Sequence, residues 1–228
     1  MCTVVVRWSP ARPLQVLALR DELVGREFDD PGPWWPAQPT VIGGRDRVAG
    51  GSWCVTDIAT GTAALVLNRP QRKVAAAGAP SRGVLPLLAV RHGERWPEEV
   101  DTSGMASFAL VLAGPTGLRE WEFDGELLTS SVLGEGTHMV TSGGAEDRKG
   151  ERYLDGFAGA GTVQDWRVLV EAHPPQDDPA ALVVRHEEAD RVFATVFGQV
   201  FTATAGRLAV SASREPWREG TWTERVWT

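Results

Sequence analysis

Runs of strand composition crowd both ends of this chain, and the two longest stretches of helical composition lie between them. The first run, Thr3–Trp8 (TVVVRW), is β-branched and begins almost at the first residue, directly behind Met1 and Cys2. Gln15–Arg20 forms a second run after the Ser-Pro-Ala-Arg-Pro break, and Val48–Ile58 with Thr62–Asn68 flank a turn as a hairpin. Strand-like runs resume at Phe108–Ala113, Glu120–Phe123 and Leu127–Val132. Glu146–Ala158 and Thr162–Ala172 have helical composition, with Tyr153, Leu154 and Phe157 near helical spacing. His173-Pro174-Pro175 stops the second of these. Strands return at Ala181–His186, Val192–Phe197, Arg207–Ala212 and Thr221–Trp227. Strands, then helices, then strands predict an α+β fold of layered antiparallel sheets and exclude a doubly wound one, in which the two alternate.

The remaining segments read as connections. Asp29–Pro39 holds four prolines and the pair Trp34-Trp35 and is expected to be a loop, as is Gln71–Gly83. Gly43-Gly44 and Gly50-Gly51 read as turns, and Val84–His92 as a short helix broken or kinked at Pro86. With 228 residues and neither an internal repeat nor a long linker, a single domain over 1–228 is expected.

Composition narrows the function classes. A net charge of −7 gives no nucleic-acid footprint. Two cysteines, Cys2 and Cys54, make neither a disulfide framework nor a zinc-ligand spacing. The four histidines, His92, His138, His173 and His186, are scattered without metal spacing, and neither GxGxxG nor a phosphate-binding loop occurs. No bound metal or cofactor is expected. No apolar run approaches the ~18 residues of a membrane span. A cytoplasmic, reducing location, where a free thiol survives, is the expectation.

Chemistry concentrates at Cys2. If Met1 is removed, Cys2 carries a nucleophile and a base on one residue, because a free α-amino group titrates at about 7.7–8.0. That amine can take the thiol proton while the sulfur attacks a carbonyl. The plain alternative is a cysteine that stands second by accident. Asn68, the chain's only asparagine, ends a strand and could donate to an oxyanion, or simply terminate the strand. Arg20-Asp21-Glu22 closes the second strand, either as a solvated turn or with Arg20 or Asp21 turned inward to orient the amine and thiol. Cys54, beside Trp53, reads as core.

Together these pieces resemble the NRDE family, also called the transport-and-Golgi-organisation family, whose members begin Met-Cys. Leu19-Arg20-Asp21-Glu22 corresponds to its Asn-Arg-Asp-Glu stretch, with leucine in place of asparagine. Trp34-Trp35, Gly43-Gly44-Arg45-Asp46, Gly50-Gly51-Ser52-Trp53, Leu67-Asn68-Arg69 and Thr223-Glu224-Arg225 are further matches, densest in residues 2–69. The resemblance implies a branch of the N-terminal-nucleophile hydrolases, near bile-salt hydrolases and penicillin V acylases, on a four-layer αββα sandwich. It implies Cys2 as nucleophile and base, Arg20 and Asp21 as its support, and Asn68 as oxyanion donor. Two departures stand out. Ser142 occupies a position where the family has asparagine, and in Phe197-Gly198-Gln199-Val200 the family's arginine is absent.

Within that resemblance His138 and Ser142 are candidate ligand contacts, His138 being otherwise a structural or solvent-facing histidine. Trp34 and Trp35 either cover a pocket as a mobile aromatic loop or pin that loop to the core. The expected activity is amide hydrolysis or acyl transfer through an acyl-thioester on Cys2, with a small molecule bearing an amide or acyl group as ligand. The alternative is a non-catalytic protein that binds or carries haem, lipid or acyl-coenzyme A.

Overall fold

The computed structural model describes residues 2–69, 75–143 and 148–228. The chain divides into two compact units. One is built from residues 1–26, 135–202 and 208–227, the other mainly from 27–134. Each holds one seven-stranded antiparallel sheet.

The first unit begins with β1 (Thr3–Trp8) and β2 (Leu14–Leu23), paired antiparallel with Thr3 opposite Leu19 and Val6 opposite Val16. On its other side β1 pairs with β10 (Gly136–Thr141), Thr3 lying opposite Thr141. The sheet continues from β2 through β12 (Arg191–Thr204) and β13 (Arg207–Ser213) to β14 (Thr223–Trp227), with β11 (Arg185–Glu188) also on β12. Alternate strand residues face opposite ways. One face of the sheet presents Val5, Leu17, Leu19 and Val200 to Tyr153 and Phe157 of α2 (Arg148–Gly159) and to Trp166 and Val170 of α3 (Val163–Glu171). Spacings of four residues put Tyr153 and Phe157, like Trp166 and Val170, on single helix faces, and burying such a stripe stabilises by roughly 25 cal/mol per Å² of apolar surface. Thr162 starts α3 with a capping box: its hydroxyl accepts from the Asp165 amide, and the Asp165 carboxylate accepts from the Thr162 amide.

In the second unit, β3 (Phe28–Gly32), β4 (Val41–Asp46), β5 (Cys54–Asp57), β6 (Thr62–Asn68), β7 (Phe108–Gly114), β8 (Gly117–Phe123) and β9 (Leu128–Leu133) form a meander, each strand paired to the next. Its helix, α1 (Leu85–His92), buries Leu85 and Ala89 in a cluster with Val55, Ala64, Val66 and Leu110. Trp96, from the helical turn that follows, joins the same cluster edge-on to Phe108 and Trp121.

Four expectations are corrected. The segment 29–39 is not wholly loop: β3 reaches Gly32 and accommodates Pro31 because it is an edge strand with a register irregularity between Asp29 and Gly32. Gly43-Gly44 lies within β4 and is not a turn. A Cβ at Gly43 would stand 2.5 Å from the Cys54 carbonyl oxygen, and one at Gly44 would enter the Trp53 ring, so close approach, not turn geometry, selects glycine there. The strand expected over Val48–Ile58 is confined to β5, whereas Gly50, at a φ of 73°, does turn. Pro86 sits in the first turn of α1, where no amide hydrogen is needed, and does not kink it. The loop expected over Gln71–Gly83 and the start of the helix expected at Glu146 fall partly outside the described residues.

Candidate active site at the head of the first strand

β1 lies between β2 and β10, so whatever stands just before Thr3 is flanked by the ends of both neighbours. That residue is Cys2, half-buried. Its N–H donates to the Ser142 Oγ at 2.6 Å, while the Ser142 amide donates to the Cys2 carbonyl at 3.1 Å. The second bond carries the β1–β10 ladder one residue beyond the Thr3–Thr141 pair. Ser142 is itself buried, so its hydroxyl is held for this contact.

On the other flank β2 runs on through Arg20, Asp21 and Glu22. The solvated turn is excluded: Arg20 is 4% exposed and Asp21 3%. The Cys2 thiol points at the Asp21 carbonyl oxygen, 3.8 Å away. Strand alternation puts Asp21 on the same face as Leu19, toward α2 and α3, and Arg20 on the opposite face. The Arg20 guanidinium reaches Glu22 at 3.5 Å.

Asp21 Oδ1 accepts a 2.6 Å hydrogen bond from the Thr195 hydroxyl, whose oxygen accepts in turn from the Val184 amide at 3.0 Å. The Lys149 ammonium stands 3.9 Å from Asp21 Oδ2 and donates to the Thr3 hydroxyl at 3.1 Å. Burial pushes the Asp21 carboxyl above the usual carboxylate range, and Lys149 is the first of the groups pulling it back, with Thr195 adding to it. Burial also pushes the Cys2 thiol up; the Asp21 charge adds to the rise, and the Asp21 carbonyl and the Arg20 guanidinium oppose it. The resting sulfur is therefore a thiol, and a base beside it is required for attack.

The structure thus brings Cys2, Arg20, Asp21 and Ser142 together. His138 lies on β10 opposite Val6, on the same sheet face as Cys2 but four strand positions away, roughly 13 Å at 3.3 Å per residue. Asn68, Trp34 and Trp35 belong to the second unit. Asn68 ends β6 and is exposed. The Trp34 indole donates to the Asp30 carbonyl at 2.9 Å and lies 4.9 Å under Arg45; the Trp35 indole donates to the Gly50 carbonyl at 3.3 Å and packs on the α1 cluster. Both tryptophans are tied to their own unit. The other histidines make local contacts: His92 with Glu99, His173 with the Leu169 carbonyl, His186 with Asp177. Among the described residues no cluster of three or more His, Cys, Asp or Glu side chains could hold a metal ion. No helix among them is long and apolar enough to cross a membrane.

Sequence reading missed Lys149 and Thr195. Lys149 carried a signal: it stands four residues before Tyr153 and eight before Phe157, on the buried stripe of α2. Thr195, inside a long strand, carried none.

Comparison with known proteins follows the same lines. The sequence profile of the family described as Transport and Golgi organisation 2 matches residues 1–120. No curated protein matches the chain. Among solved structures, the C2A mutant of the conjugated bile acid hydrolase from Clostridium perfringens is similar with a TM-score of 0.55 at 10% identity, over 99% of this chain and 92% of that one. A penicillin V acylase from Agrobacterium tumefaciens is similar with a TM-score of 0.44 at 14% identity, over 99% and 90% of the two chains. The first of these shows the fold, that of the N-terminal-nucleophile hydrolases, as expected from the resemblance.

Proposed function

The chain belongs to the Transport and Golgi organisation 2 family, and from that premise we propose that it is an N-terminal-nucleophile hydrolase or acyl transferase acting on an amide bond through an acyl-thioester on Cys2. The observation that carries this reading is the setting of Cys2, whose nitrogen is held by the Ser142 Oγ at 2.6 Å and whose thiol lies beside Arg20 and Asp21. The similar solved structure is that of a conjugated bile acid hydrolase.

Removal of Met1 converts the Cys2 nitrogen to a primary amine. Ser142 fixes that nitrogen and so directs its lone pair, and the amine takes the thiol proton as Sγ adds to the substrate carbonyl. Collapse of the tetrahedral intermediate breaks the C–N bond, and the ammonium returns its proton to the departing nitrogen. The acyl-thioester remains. Water, or another acyl acceptor, gives its proton to the same amine and attacks; the carboxylic acid or transferred acyl product leaves, and the thiol is restored. Arg20 favours sulfur in its anionic form by charge, against the burial that disfavours it.

The test is to incubate the protein with a panel of amides and β-lactams and to weigh the Cys2 peptide. An acyl adduct on wild type, absent in Cys2→Ala, is expected. Turnover by Cys2→Ala, or by protein that retains Met1, would overturn the reading. Tryptophan quenching by haem or acyl-coenzyme A that persists in Cys2→Ala, with no adduct from any panel member, would replace it by a carrier role.

A further inference from the structure

A lysine inside a protein core is costly unless its charge is met, and replacing a buried ion pair by apolar groups of the same volume is often neutral or stabilising. Fold stability is therefore a weak reason to keep one. Lys149 is nevertheless fully buried, and it is one of only two lysines among 23 basic residues in a chain that otherwise uses arginine. It projects from the apolar stripe of α2, one turn before Tyr153 and two before Phe157, to the residues that flank the nucleophile. Its ammonium donates at 3.1 Å to the hydroxyl of Thr3, which follows Cys2, and stands 3.9 Å from the carboxylate of Asp21, whose carbonyl receives the Cys2 thiol.

We propose that Lys149 is a positioning residue of the Cys2 site: its buried ammonium, bridging Thr3 and Asp21, holds Asp21 as a carboxylate beside the nucleophile and its amine. The inference rests on Cys2 being the reacting group. It goes further in assigning the ionisation of Asp21 to a residue that does not touch the sulfur.

Among the described residues, the groups that face Asp21 differ in charge. From β12 comes the neutral hydroxyl of Thr195, one hydrogen bond without a charge. From the head of β1 comes Cys2, whose thiol meets the Asp21 carbonyl and is raised by the Asp21 charge. On β2 itself Arg20 is turned to the other face and engaged with Glu22. Lys149 is a fixed positive charge on the carboxylate's own side, and the first of the groups that pull Asp21 back against burial. Without it, the carboxyl loses the first of the groups that pull it back against burial and is held as a neutral acid to higher pH. The Asp21 charge would then no longer raise the thiol, so Lys149→Met is expected to resemble Asp21→Asn at neutral pH and to return toward wild type as the pH rises.

The experiment measures the rate of iodoacetamide alkylation at Cys2, read on the Cys2 peptide, from pH 5 to 9. It uses protein whose intact mass shows Cys2 as the first residue, and compares wild type, Lys149→Met, Lys149→Arg, Asp21→Asn and the double variant Lys149→Met/Asp21→Asn. At pH 7, Asp21→Asn and Lys149→Met are expected to react at least about threefold faster than wild type, within about twofold of each other and of the double variant. Lys149→Arg is expected to follow the wild-type profile. A folded Lys149→Met with the wild-type profile would overturn the proposal, as would an effect of Lys149→Met that is as large in the Asp21→Asn background as alone. If Lys149→Met does not fold, the double variant, which buries no charge at the pair, is compared with Asp21→Asn alone. Equal profiles are expected, and a difference above about threefold overturns the assignment. Alkylation needs no substrate, so a shifted profile with no acyl adduct from the panel refutes the hydrolase reading alone, and an adduct with unshifted profiles refutes only the role of Lys149.

Discussion

Replacing Lys149 by methionine keeps the length and nearly the volume of the side chain while deleting its charge, which makes it a direct probe of the buried pair's part in stability. Asp21 Oδ2 and the Lys149 Nζ are 3.9 Å apart, and both side chains are shielded from solvent. At an effective dielectric of about 20, two unit charges at that distance attract by about 4 kcal/mol. Breaking a buried pair by removing one partner costs about 3–5 kcal/mol, because the remaining carboxyl must either stay charged without compensation or take up a proton it does not hold when unfolded. Against a total stability of about 5–15 kcal/mol, that is a large fraction. With a urea m-value of about 2 kcal/mol/M, the unfolding midpoint should fall by about 2 M. The double variant Lys149→Met/Asp21→Asn leaves no charge to desolvate and should recover most of the loss. The pH dependence has a definite sign. The folded pKa of Asp21 is raised by burial, and deleting Lys149 raises it further. A carboxyl of that kind contributes stability that is fully present below its unfolded value of about 3.9 and is lost as pH rises through the folded value. The deficit of Lys149→Met should therefore narrow as pH falls toward about 4 and widen as pH rises. A single variant within about 1 kcal/mol of wild type at pH 7, a deficit that does not change with pH, or a double variant no more stable than the single one would refute the reasoning.

Two further outcomes follow from single contacts. Ser142→Ala removes the acceptor that holds the Cys2 nitrogen. A hydrogen bond of about 1–1.5 kcal/mol is lost, so the initial rate of acyl-adduct formation should fall about tenfold while Cys2 stays alkylatable. Thr162→Ala opens the capping box of α3 and should cost ~1 kcal/mol in urea unfolding, with faster amide exchange confined to the first turn of that helix.

Sequence by itself determined what is local. The β-branched run behind Cys2 is β1 with the expected bounds, Thr62–Asn68 is β6, and Thr162 opens the helix expected there, because side-chain alternation, turn residues and caps act over a few positions. It also placed Cys2, Arg20 and Asp21 as one candidate group, through motif resemblance. Where local signals conflict with packing they mislead. Gly43-Gly44 has the composition of a turn, yet it is a strand that lets Trp53 and the β5 backbone approach closely. Arg20-Asp21 has the charge of a solvated turn, yet it is buried. Tertiary structure alone decided the rest of the site. Ser142 meets Cys2 across 140 residues, Lys149 meets Thr3 across 146, and Thr195 meets Asp21 across 174. Strand order in the sheet and the seating of α2 on one of its faces set those meetings, and no periodicity within a single segment encodes which distant strand or helix will lie alongside it.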